Sequence, residues 1–108
     1  MRSALAVVIP LKMTDHALGR RIANLARESS NIVIVPHALK RMRKRHVLYT
    51  QVQQVLLRGR IVEPAHKDIY GCWKCTIQLT ISGDSIKVAA VLGEDEFRNK
   101  VVVVTVMN

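Results

Sequence analysis

Along the first third of the chain the apolar positions fall three and four apart. Leu18, Ile22 and Leu25 lie on one face of a wheel turning about 100° per residue, and Arg20, Arg21 and Arg27 lie off it. Thr14 stands where an N-cap hydroxyl belongs, so the pattern predicts a helix over 15–28. The next apolar run, NIVIV at 31–35, is short. It predicts a strand ended by Pro36, whose nitrogen carries no hydrogen. A second helix is expected to begin near His37. TQVQ at 50–53 has the spacing of a capping box and predicts a third helix. Val52, Val55 and Leu56 form its apolar stripe, and Gly59 is its stop.

From Arg60 onward the period changes to two. RIVE at 60–63 reads as a short strand closed by Pro64. CWKCTIQLTIS at 72–82 alternates, with Trp73, Cys75, Ile77, Leu79 and Ile81 on one face. Gly83-Asp84 is the expected hairpin turn, and SIKVAAVL at 85–92 is the returning strand. KVVVVTVM at 100–107 is apolar on both faces, which predicts a central strand. The expected class is α+β: a mainly antiparallel sheet of about four strands packed by two or three N-terminal helices.

The length of 108 residues fits one domain over 1–108, and 49% apolar content excludes a disordered chain. Aromatic residues are few (Tyr49, Tyr70, Trp73 and Phe97), so stacking of bases on an aromatic platform is not the expected mode of nucleic-acid binding. The opening residues, MRSALAVVIPLK, resemble a weak signal peptide, but Pro10 and Lys12 interrupt the apolar run and it is too short to span a bilayer. Residues 1–13 are therefore expected to be an apolar strand or arm of a cytoplasmic protein with no membrane association. Through 4–9 that arm can pair with the sheet edge of a second copy and make a homodimer.

Two cysteines, Cys72 and Cys75, form C-x-x-C beside Trp73. In a strand, residues three apart point to opposite faces and sit about 10 Å apart, too far for a disulfide. A zinc site needs two further ligands, and no second C-x-x-C exists. Both cysteines read as structural, and no metal or cofactor is expected.

Charge changes the picture more. Lys plus Arg number 17 against 8 Asp plus Glu, a net charge of +9. No acid occurs between Glu28 and Glu63, a span that holds Lys40, Arg41, Arg43, Lys44, Arg45, Arg58 and Arg60. Acids gather instead at Glu94, Asp95 and Glu96. So uneven a distribution points to a polyanion as partner: RNA, DNA or an acidic protein.

The densest part of the basic run is PHALKRMRKRH, from Pro36 to His46. On a helical wheel Arg41 and Lys44 fall beside His37, with Lys40 and Arg45 flanking them. Ala38, Leu39 and Met42 lie opposite and are expected to face the core. His46 falls near the apolar edge and reads as structural. Like charges three and four apart cost the helix a few tenths of a kcal/mol, roughly, per pair, and that term reverses sign when a phosphate docks. His37 carries an imidazole within this cationic cluster. Beside Arg41 it has the parts of a general base and a phosphate-charge stabiliser. His37 and Arg41 are the candidate catalytic residues, and Lys40, Lys44, Arg45, Arg58 and Arg60 the candidate nucleic-acid contacts.

The order of these residues also resembles a family of small bacterial domains of unknown function. The shared features are H-A-x-x-R-M-x-x-R (His37, Ala38, Arg41, Met42, Arg45), then Val52 and R-G-x-I (Arg58, Gly59, Ile61), then G-x-W-x-C (Gly71, Trp73, Cys75), and Thr105 in the last strand. The likeness runs from about Asp15 to Val106. That family is similar to the RelE and BrnT toxins of bacterial toxin–antitoxin pairs. The resemblance implies a RelE-like fold, cleavage of mRNA and an antitoxin protein as partner. It assigns His37 and Arg41 the active role and places Thr105 on the sheet side of the cleft. His66 and Tyr70 are candidates for the missing second acid or base. Together these readings predict a toxin-like, metal-independent endoribonuclease, with a non-catalytic basic module for nucleic acid or an acidic antitoxin as the alternative.

Overall fold

The computed structural model describes residues 13–94 and 99–107. The arm expected in residues 1–13 and the acidic loop at Glu94, Asp95 and Glu96 lie outside it, apart from Met13 and the backbone of Glu94.

The first helix, α1, spans Asp15–Ala26. Thr14 caps it: the Ala17 N–H donates to the hydroxyl at 3.0 Å. Leu18, Ile22 and Ala26 are fully buried, so the inward stripe ends on Ala26, one position beyond the expected Leu25. A single 3-10 turn, Ser29–Asn31, follows, and the strand β1 is only Ile32–Ile34. Asn31 is buried, and its amide donates to the Leu25 carbonyl at 3.0 Å, closing the end of α1.

Helix α2 spans Pro36–Arg45 and helix α3 spans Tyr49–Arg58. The expected cap at Thr50 is displaced. Leu48 is the N-cap, and its N–H donates to the Gln51 side chain at 2.8 Å. The Gln three residues after the cap does supply its half of a capping box; Leu48 has no oxygen to supply the other.

Four strands follow: β2 Arg60–Lys67, β3 Trp73–Ile81, β4 Asp84–Glu94 and β5 Asn99–Met107. Strand β2 does not stop at Pro64. It runs on to Lys67 through two register shifts against β3. Proline is tolerated because Pro64 falls within the register shift between Glu63 and His66, on an edge strand. The β3–β4 turn lies one residue earlier than expected, at Ser82-Gly83, both with positive φ (50° and 86°). That is the two-residue hairpin geometry favoured by strand twist.

The sheet order is β1-β5-β4-β3-β2. Among the described residues it has five strands, not about four, and it is mixed: β1 pairs parallel with β5 and every other pair is antiparallel. Three residues of β1 make the difference. Strand β5 is interior, as its apolar faces require, but β4 holds the centre. The three described helices all contribute to one core with the face carrying Cys75, Ile77, Ile86, Val88, Ala90 and Val103. The fold class is α+β. Among the described residues no helix is long and apolar enough to cross a membrane.

Candidate nucleic-acid interface

Helix α2 opens without a side-chain cap. Val35 is extended, its N–H donates to Val103 O of β5 at 3.2 Å, and Pro36 takes the first helical position. His37 follows, exposed in the first turn, where no acid answers the partial positive charge of the free N–H groups. Such an end attracts anions.

One turn on, Arg41 behaves unlike the other cations of the helix. Lys40, Arg43, Lys44 and Arg45 are exposed; Arg41 is half-buried, and its Nε is buried with no hydrogen-bond partner among the described residues. Ala38 and Met42 anchor the opposite side in the core. Leu39, expected beside them, is 39% exposed. A helix of ten residues resting on one side of the sheet buries a narrow stripe, and Leu39 falls outside it.

Part of the charge has a structural explanation. Arg43, Lys44 and Arg45 occupy the last turn, where cations offset the negative end of the helix dipole. His46 then ends the helix in the left-handed conformation, φ 56°, and the Val47 N–H donates to Met42 O at 2.8 Å. His46 is exposed, and its place is that of a helix terminator. His37 and Arg41 have no such explanation.

The remaining candidates are scattered. Arg58 ends α3 and Arg60 begins β2, at the sheet edge opposite β1. Helix α2 packs against β5, three strands from β2, which is about 14 Å at the usual spacing between strands. The seven cations between Glu28 and Glu63 therefore form two groups. Thr105 lies in register with Ala89, and Ala89 with Thr76, on the face turned away from the helices. In that row the Thr76 hydroxyl donates to the Glu63 carboxylate at 2.5 Å. His66 is in register with Lys74 on the same face but on the edge strand. Tyr70 is at the tip of the β2–β3 loop, 82% exposed beside Ile69. There Asp68 Oδ1 accepts from the N–H groups of Tyr70 and Cys72, at 2.9 Å each. Thr105, His66 and Tyr70 thus do not share one cleft.

Cys75 is 1% exposed and faces the helices, while Cys72 sits half-buried in the turn before β3; both are free thiols. Burial, and secondarily the charge of Asp15, push the Cys75 thiol up to about 12, which makes it a poor nucleophile. Among the described residues no three His, Cys, Asp or Glu side chains gather where they could hold a metal ion.

One further group of residues comes together only in three dimensions. Asp15, His16 and Arg20 of α1 meet Arg60 of β2 around a groove of about 460 Å³. The helical period puts Arg20 off the apolar stripe, but nothing in the sequence places it near Arg60.

Residues 34–108 match the family model described as Domain of unknown function (DUF4258). The match covers more than half of the chain, so the chain belongs to that family. It takes in α2 and everything after it and leaves α1 outside. No curated protein and no solved structure matches the chain.

Proposed function

We propose that this member of the DUF4258 family is a toxin-like endoribonuclease with a RelE-like arrangement of helices on a sheet. The observation that carries the reading is the pair on α2: exposed His37 in an uncapped first turn, and half-buried Arg41 one turn on, its Nε without a partner among the described residues. The ribose 2′-hydroxyl attacks the adjacent phosphorus. A bond forms between O2′ and phosphorus, and the bond from phosphorus to the 5′ oxygen breaks. His37 accepts the proton lost by the 2′-hydroxyl, and Arg41, with Lys44 and Arg45, stabilises the charge on the phosphorane. The departing 5′ oxygen takes a proton from water, leaving a 2′,3′-cyclic phosphate and a 5′-hydroxyl. This scheme calls for no metal and no cofactor. Its natural regulator is an acidic antitoxin protein covering α2, and its setting is the cytoplasm.

A second reading is favoured by the isolation of His37. His66 and Tyr70 lie on or beyond the far edge of the sheet, and neither joins α2 as a second acid or base. On that reading α2 is a non-catalytic dock for nucleic acid or an acidic antitoxin. RNA incubated with purified protein decides between them. An endoribonuclease yields cyclic-phosphate ends, and His37→Ala and Arg41→Ala each lower the rate by about 100-fold or more. Equal cleavage by His37→Ala sinks the catalytic assignment; salt-sensitive binding without products supports the dock.

A further inference from the structure

The groove beside α1 is built at a seam. One wall is α1, outside the family match; the other is α3, β2 and β3, inside it. Its floor is apolar, formed by Leu56, Leu57, Ile61 and Ile77. Its volume of about 460 Å³ falls within the range of small-molecule sites, about 300–1,000 Å³. Two bonds fix the seam: the Ala65 N–H donates to Asp15 Oδ1 at 2.7 Å, and the Gln53 amide donates to Ala26 O at 2.9 Å.

Gly19 lines this groove from the middle of α1, where glycine is the weakest helix former after proline. Neither backbone strain nor crowding asks for it. Its φ is not positive, and an added Cβ would lie 3.5 Å from Ile61 Cδ1, in ordinary contact. What its missing side chain does is leave the groove open.

Arg60 borders this groove and a smaller one of about 270 Å³, which adds Arg58, Gln78 and Thr80. Arg60 is in register with Gln78, on the face turned away from the helices, so the smaller groove lies across the sheet from the apolar floor. The cations that border the apolar groove itself are Arg20 and Arg60, two guanidinium groups suited to a phosphate.

We infer that the groove beside α1 binds one nucleotide, with its base on the apolar floor and its phosphate at Arg20 and Arg60. Asp15 spends one lone pair on Ala65, and a carboxylate has about four acceptor positions, so it retains capacity for the exocyclic amino group of a base. Uracil offers only its ring N3–H, flanked by two carbonyl oxygens that repel a carboxylate, so the groove prefers adenine, cytosine or guanine. The nucleotide is either free or one unit of an RNA strand. Neither form depends on cleavage at α2.

Calorimetric titration at low salt with AMP, UMP and a short adenine-containing oligoribonucleotide tests this. One AMP per chain is expected, bound about tenfold tighter than UMP. Gly19→Leu, which fills the groove and suits the helix, weakens AMP binding by at least about tenfold without lowering Tm. Arg60→Gln does the same through the phosphate. If AMP alone is silent but the oligoribonucleotide loses about tenfold affinity in both variants, the groove takes a nucleotide of a strand. If neither ligand responds to either variant, or UMP binds as well as AMP, the inference is overturned. Retained AMP binding without RNA cleavage counts against the α2 reading alone; cleavage unaffected by a groove that binds nothing counts against the groove alone.

Discussion

Single residues in this protein are constrained by what sits against their backbone as much as by their side chains. Gly59 is the clearest case. It ends α3, and a Cβ added there would lie 2.6 Å from Ile77 Cγ2, 2.6 Å from Val55 O and 2.8 Å from Gln78 O. Two of these contacts are backbone, so the chain itself must shift. Gly59→Ala is expected to cost about 1–3 kcal/mol, measured as a lower denaturant midpoint at unchanged slope. The sequence marks Gly59 as a helix stop, but its φ of −72° is one that any residue adopts. The reason for glycine is the close passage of α3 over β3, which no local pattern announces. Arg41 has the same lesson. The wheel groups it with Lys44; only packing separates a half-buried guanidinium from an exposed ammonium.

At the scale of elements, α1 stands apart from the family domain in sequence but not in packing. Leu18 and Ile22 are fully buried in the common core. Leu18→Ala is expected to cost about 2–5 kcal/mol and to unfold the whole protein in one step. A mild loss confined to α1, seen as early exchange of its amides alone, would show it to be an appendage. Helices and long strands were legible because their periods persist: 3–4 spacing through α1 and α3, alternation through β3. Short or irregular pieces were not. Strand β1 has three residues and is defined by its parallel pairing with β5, far away in sequence. Strand β2 passes a proline because Pro64 falls within a register shift on an edge strand, which is a property of sheet order and pairing. The helix carrying His37 and Arg41 could be read in outline; the division of the basic residues between α2 and the β2 edge could not, since it depends on which strands lie between.

For the whole molecule, that division makes charge a two-site property. Each phosphate neutralised on a single strand contributes about −0.7 to the slope of log affinity against log salt. Lys44→Gln with Arg45→Gln is expected to reduce the slope by about 1.4 for any RNA long enough to reach α2. Arg58→Gln with Arg60→Gln is expected to lower the slope of strands held at α2 only when they reach across the sheet, whatever a short ligand does in the separate groove at Arg60. A dinucleotide showing equal loss in both double variants would mean that the two groups act as one surface.

The parallel contact between β1 and β5 bears on when the protein becomes itself. Helix α2 leaves the sheet directly after β1, and both rest on β5: Ile32 aligns with Val101, and Val35 donates to Val103. The partner strand, β5, follows every other described element in chain order. Until it emerges, His37 and Arg41 have no floor beneath them, whatever helices and hairpins have already formed. A chain halted before β5 carries the basic residues of α2 and lacks the strand on which that helix rests. Topology thus acts as a timer, holding back the packed surface of α2 until β5 has been made.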